Sequence, residues 1–365
     1  MIKVGKIGVQ EAISLITITI AVKVCFTSPA YVAAITGPAS WYMTLISAMT
    51  AMIGFTFLYQ LLKLFPDKDL VQAFELSMGR VLGFTFTMIL SVFLVLNTAV
   101  FVREFAEVLK VYVFPLTPLS FLIIFSLAAV AIACFLGLES IARTARLFAY
   151  MLLIGFISVI LLAIPSYNYH YLFPFWGHGF DKTIMTGLVR SSFYGEVILI
   201  GLLAGSMQGI SYIKKTGYIS IAVSGITTSL TLLTTVMAFN YATAQETTSR
   251  LYELTRIIQI GNFLQRLDPI FLFTWCIGSL LYLSIMTYCT LITYCKAFRI
   301  QDNRPLIIPL LIIIFTLSML PDNLVQVTDY VHLLRQYGWT IYFSLPAIAL
   351  ITAAIRKKRG VQDGA

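Results

Sequence analysis

Residues 7–34 read IGVQEAISLITITIAVKVCFTSPAYVAA, a membrane-length apolar run with Lys23 in its middle and a Thr27-Ser28-Pro29 helix breaker just beyond. Residues 183–207, TIMTGLVRSSFYGEVILIGLLAGSM, have the same design, with Glu196 as the central charge and Tyr194-Gly195 as the interruption. A charge at the bilayer centre costs about 2.5–3.5 kcal/mol even on the mildest scales, so it is rarely kept without a partner or a task. Two interrupted helices at matching places in two halves of a chain point to a transporter-type binding site. The expectation is a small polar solute bound inside a membrane, with Lys23, Thr27, Ser28, Tyr194, Gly195 and Glu196 around it.

The composition agrees. The chain is 59% hydrophobic and 11% charged, with mean hydropathy +0.89, against about 25% charged residues in an ordinary soluble domain. A soluble protein of 365 residues could not cover its surface with so few polar side chains. The net charge of +9 therefore reflects loop topology rather than nucleic-acid binding. The tail Arg356-Lys357-Lys358-Arg359 reads as a stop at the lipid headgroups. Cys25, Cys134, Cys276, Cys289 and Cys295 all fall in apolar spans, without metal spacing or a disulfide framework. His170, His178 and His332 read as outer-loop residues with no ligand-like spacing, so neither metal nor cofactor is expected. No phosphate loop, HExxH or suitably placed GxSxG occurs, and an enzyme is not expected. The apolar run after Lys3 and Lys6 is too long for a cleavable signal core.

A span needs about 20 apolar residues to cross about 30 Å of hydrocarbon. Ten such stretches are read, at about 9–34, 41–65, 80–104, 116–137, 146–167, 184–207, 217–240, 268–296, 305–321 and 338–355. The aromatic stretch Tyr167 to Trp176 between the fifth and sixth suits a membrane interface. With the N-terminus inside, cytoplasmic segments carry sixteen Lys and Arg and outer segments seven, which puts both termini in the cytoplasm. Five spans per half force the second half to enter from the opposite side. The expectation is one transmembrane domain of two inverted repeats, about 9–167 and 184–355.

Each motif leaves alternatives open. Ser28 reads as an N-cap and Pro29 as the first residue of a half-helix whose N–H groups suit a carboxylate; a proline kink re-satisfied by its neighbours is the other reading. Glu196 has three candidate roles: counter-ion to Lys23, acceptor for a substrate ammonium, or proton carrier. Asn97, and Ser284 with Tyr282 and Thr287, lie at depths that could wall the breaks, although a lone membrane hydroxyl more often bonds its own helix. Residues from Asp67 to Arg80 read as a short amphipathic cytoplasmic helix. Residues 246–268 read as an outer helix, either a lid or a packed loop.

Five segments carry a resemblance, in order: Phe65-Pro66-Asp67-Lys68-Asp69-Leu70-Val71, Arg103-Glu104-Phe105-Ala106-Glu107, Pro115-Leu116-Thr117-Pro118, Gly137-Leu138-Glu139-Ser140-Ile141-Ala142-Arg143, and Arg256 through Leu267. With them the chain resembles the membrane-embedded B subunits of spore germination receptors, within the amino acid/polyamine/organocation permease superfamily. The resemblance runs from about Ile7 to Arg356. It implies an all-α LeuT-type fold, a five-plus-five inverted repeat with helices 1 and 6 broken. It also implies a complex with A and C subunits in the spore inner membrane, and the sensing of a nutrient germinant such as an amino acid. Lys23 departs from the family pattern; a lysine there repels cationic ligands and attracts acidic ones. Three functions remain open: a germinant-binding receptor subunit, a proton-coupled amino acid permease, or a scaffold for partner subunits.

Overall fold

Inside a bilayer the backbone has no water to bond, so a chain this apolar satisfies its N–H and C=O groups within helices. The computed structural model describes residues 5–239, 249–258 and 268–356, and they are helical almost throughout. Helix α1 (Val9–Ala21), a 3₁₀ segment (Val22–Cys25) and α2 (Ser28–Thr36) form the first span, and α3 (Ser40–Leu64) the second. The short α4 (Leu70–Met78) leads into α5 (Arg80–Tyr112), α6 (Leu119–Leu136) and α7 (Leu138–Leu162), the third to fifth spans. The sixth is α8 (Phe180–Val189), a 3₁₀ segment (Arg190–Ile198) and α9 (Leu199–Leu202), followed by α10 (Ile210–Ala238). Then come the short α11 (Arg250–Ile257), α12 (Asp268–Ala297) and α13 (Ile307–Ser318). The tenth span is α14 (Leu324–Trp339) and α15 (Leu345–Ile355), joined by a π turn over Thr340–Ser344.

Seven helical stretches among the described residues are long and apolar enough to cross a membrane unaided. The first and sixth spans fall short because they are interrupted, and the ninth because it is short. Ten spans with breaks in the first and sixth agree with the expected fold class. The third span runs on to Tyr112, and the fifth and seventh begin at Leu138 and Ile210, each about two turns beyond the boundary read from sequence. The largest shift is in the tenth, which starts at Leu324, not 338, so His332 and Arg335 lie inside a helix rather than in an outer loop. Asn323 starts it, its side chain accepting from Gln326 N at 3.0 Å. The helical spacing of Val327, Val331 and Leu334 was the available sequence signal.

Helix α12 is the most enclosed of the spans, packing on α5, α6 and α7, while α10 packs on α1 and α3. The α3–α10 contact is close because small residues allow it. A side chain at Gly217 would run into the Phe55 ring, and one at Gly225 into Ala48. At the other extreme α7 is mostly uncovered. Helix α4 forms where the amphipathic reading expected it, opened by a capping box between Asp69 and Gln72. Lys296 at the end of α12 pairs with Asp69 at 2.8 Å and fixes α4 against the bundle.

Candidate functional site

The first break is built by Pro29 and by a carboxylate from another helix. After the 3₁₀ segment, Phe26 is extended and α2 begins at Ser28. The N-cap is therefore Thr27, one residue earlier than the Ser28 cap read from sequence. Thr27 does not cap with its own side chain. Its N–H (3.1 Å) and its hydroxyl both donate to Glu104 Oε1 from α5. A carboxyl oxygen is a stronger acceptor than a hydroxyl at the positive end of a half-helix. Glu104 is fully buried. Sequence reading used it only as part of a family motif, and its depth in α5 was the signal that could have singled it out.

The second break is a tightened helix, not an unwound loop. Arg190–Ile198 runs nine residues as 3₁₀ helix, where runs longer than about 3–4 residues are uncommon. Lys23 reaches across from the first break, donating to Glu196 Oε2 and to the Phe193 carbonyl. Both side chains are inaccessible, at 1% and 3% exposure, so each is the other's compensation for being buried. The Lys23 ammonium also lies 4.6 Å from the centre of the Phe193 ring. On the other side of Glu196, the Tyr282 hydroxyl stands 3.5 Å from Oε1, the edge of hydrogen-bond range. Gly195 is needed for close approach: a Cβ there would overlap the ring of Tyr342. Tyr194 is buried beside it and donates to the Thr44 carbonyl at 3.2 Å.

A second group of charged and aromatic side chains lies beside the same two breaks. The Arg190 guanidinium covers the Tyr31 ring at 4.3 Å, and Tyr31 stacks on His332 at 3.3 Å. Arg335 of α14 covers Phe193 at 4.8 Å, and its backbone carbonyl accepts from the Ser192 hydroxyl. Ser28, Tyr194, Arg190 and Arg335 share the wall of a cavity of about 20 Å³.

Not every candidate from the sequence reaches the breaks. The Asn97 amide donates to Phe93 O (2.9 Å) and the Ser284 hydroxyl to Leu280 O (2.7 Å), each one turn back on its own helix. The Ser284 carbonyl accepts from the Cys134 thiol of α6 at 3.8 Å. Glu104 and Tyr282 occupy the wall positions instead. Of the outer 246–268 segment, 246–248 and 259–267 lie outside the described residues. Its described part is tied to the first break: Ser249 donates to Cys25 O (2.7 Å) and Arg250 to Ala30 O (3.2 Å). Among the described residues no cluster of metal-ligating side chains occurs.

Ten helical spans, with the first and sixth interrupted and joined by buried charge, define a multi-pass membrane protein of the LeuT-type transporter fold. Solved structures agree. The fold of Mhp1, a nucleobase-cation-symport-1 family transporter in a closed conformation with bromovinylhydantoin bound, matches over 97% of this chain and 90% of that one. The TM-score is 0.65 at 11% identity. A manganese transporter of Eremococcus coleocola matches over 95% of this chain and 76% of its own, with TM-score 0.52 at 15% identity. These likenesses establish the fold. The particular family comes from sequence: residues 6–327 match the Spore_permease model, described as spore germination protein, and the chain belongs to that family. It is 24% identical over 341 residues to Spore germination protein KB of Bacillus subtilis (strain 168), covering 88% of each chain. It is 23% identical over 257 residues to Spore germination protein XB of Bacillus anthracis, covering 69% of this chain and 70% of that one. The family is of the permease type, not an enzyme family.

Proposed function

We propose that this chain is the membrane-embedded subunit of a spore nutrient germinant receptor and binds a small germinant, an amino acid, between the two helix breaks. The observation that carries the reading is the buried Lys23–Glu196 pair, which joins the first interrupted span to the sixth. A ligand shifts a two-state protein only by its differential affinity for the two states, and that needs no net transport. A solute whose ammonium or carboxylate competes with either partner of the pair acquires that difference. Thr27, Ser28, Tyr194, Gly195 and Glu196 are the contacts assigned to it, with Lys23 as the charge it perturbs. The two repeats, about 9–167 and 184–355, then move against each other within one domain. The packing of α11 against the first break supports its use as a cover that feels this movement.

The reading places the protein in the spore inner membrane with both termini cytoplasmic, acting with A and C subunits. Its test is deletion of the gene in a spore-former. The expected result is loss of the response to one germinant class, with other responses and growth on the same nutrient unchanged. Impaired uptake by growing cells, with normal germination, would establish a proton-coupled amino acid permease instead. Ser28→Ala in the restored gene should blunt the germinant response without lowering protein level, and Glu196→Gln, which strands Lys23, should blunt it further when the response is compared at equal protein level.

A further inference from the structure

We infer that the apolar slot between the first span, α7 and α12 is a phospholipid site. Its occupant is a membrane lipid with an ethanolamine headgroup, the acyl chain lying in the slot and the headgroup on Arg146 and Glu11.

A cavity of about 830 Å³ separates α7 from the first span and α12, within the about 300–1,000 Å³ of ligand pockets. Its α7 wall runs from Arg146 to Leu162, and its first-span wall from Ile13 to Cys25. At about 1.5 Å per residue the α7 wall is about 24 Å long, so the cavity is a slot that suits an extended chain. Among the described residues Arg146, at one end, is the one charged side chain in its walls. Leu147, Leu153 and Ile154 line the slot and are also exposed on the outer surface of the bundle. The slot therefore opens sideways, towards the hydrocarbon of the bilayer. No residue of the sixth span lines it, which sets it apart from the small cavity between the two breaks. Its far end reaches Val24 and Cys25 beside the first break and Leu251 of α11, so a seated chain packs against that break as well.

Charge at the mouth selects the headgroup. A second, polar cavity of about 430 Å³ is walled by Gln10, Glu11, Arg146, Gln208 and Tyr212, and Arg146 lines both cavities. Arg146 is the last charge before the uncharged stretch 147–162, which puts it at headgroup level. Its guanidinium covers the Tyr150 ring at 4.7 Å and donates to the neutral Gln10 Oε1 at 2.7 Å. Glu11 Oε2 accepts from the Gly8 N–H at 2.9 Å. Among the described residues neither Arg146 nor Glu11 forms an ion pair. The polar chamber so offers one cation and one carboxylate, and the slot joined to it offers only hydrocarbon contacts. That is the complement of an amphiphile with both charges in its headgroup. A phosphate can accept from two guanidinium N–H groups at once, and a primary ammonium brings three donors to Glu11, as a lysine would. A choline headgroup has the positive charge without the donors, and a glycerol headgroup has no positive charge. An ethanolamine phospholipid satisfies both residues.

Trp275 supplies the test, because it lines the slot yet is only 4% exposed, out of contact with lipid on the outer surface. The purified full chain in detergent is titrated with phospholipids that share dibrominated acyl chains and differ in headgroup: ethanolamine, choline or glycerol. Bromine quenches indole fluorescence on close approach, and the difference between wild type and Trp275→Phe isolates the signal of Trp275. If Trp275→Phe does not fold, a chain with Trp41, Trp176 and Trp339 replaced by phenylalanine reports the same signal. The expected result is saturable quenching of Trp275, with the ethanolamine midpoint at least about tenfold, or 1.4 kcal/mol, below the other two. Arg146→Gln should raise the midpoints of all three lipids, since all carry the phosphate. Glu11→Gln should raise the ethanolamine midpoint to that of the glycerol lipid and leave the glycerol one in place. If either variant does not fold, the wild-type comparison of headgroups decides alone. Quenching confined to the other tryptophans overturns the inference, because the slot then holds no lipid. Equal midpoints for ethanolamine and either other headgroup, or an Arg146→Gln midpoint unchanged, overturn it too, since ordinary contact with the bilayer then accounts for the quenching.

Discussion

Replacing Lys23 by methionine keeps the length of the side chain and leaves Glu196 alone in a dry site. Two unit charges about 4 Å apart attract by about 4 kcal/mol at an effective dielectric of about 20. Breaking one partner of a buried pair costs about 3–5 kcal/mol, because the remaining charge has no compensation. Tyr282, at 3.5 Å from Glu196, offers too weak a contact to replace the ammonium. Lys23→Met should therefore destabilise by about 3–5 kcal/mol. In Lys23→Met/Glu196→Gln the stranded charge is gone, and the loss should fall to about 1–2 kcal/mol, the size of the lost bond to the Phe193 carbonyl. The assay is a double-mutant cycle on purified protein, unfolded by SDS titration and read by near-ultraviolet circular dichroism. The coupling should persist at high salt, since buried pairs are little screened. If the two single losses simply add, with coupling under about 0.5 kcal/mol, the pair does not join the two breaks.

Gly195→Ala pushes a methyl group into the Tyr342 ring; overpacking of this kind costs about 1–3 kcal/mol, and unchanged thermal stability would show that the sixth span is not pressed against the tenth. Thr27→Val removes the hydroxyl that donates to Glu104 and should cost about 1–3 kcal/mol, measurable in the same SDS titration, whereas Thr27→Ser should retain most of it. Ser249→Ala cuts one of the bonds that hold α11 to the first break; hydrogen exchange of residues 250–257 should quicken, while that of α12 stays the same. Gly217→Leu should disrupt α3–α10 packing at Phe55 and lower the yield of folded protein, in contrast to a leucine at Gly155, which has open space around it.

The sequence by itself determined the membrane class, the helices and the breaks. Span length, a proline in helix 1 and a charge in each broken span are local features, and a bilayer enforces them without help from tertiary contacts. It also marked the charges that had to find partners, since the cost of an unpaired ion depends on depth and not on fold. The partners themselves are a tertiary matter. Glu104 lies 77 residues from Thr27, and Lys23 lies 173 from Glu196, so only the crossing of helices brings them together. The same crossing put Tyr282 against Glu196, whereas Asn97 and Ser284 bond one turn back on their own helices. Arg335 shows the limit most clearly. A charged residue next to an aromatic-rich span end reads as a loop, and it became part of a site only because Asn323 starts the tenth helix early and α14 packs against the 3₁₀ segment of the sixth span.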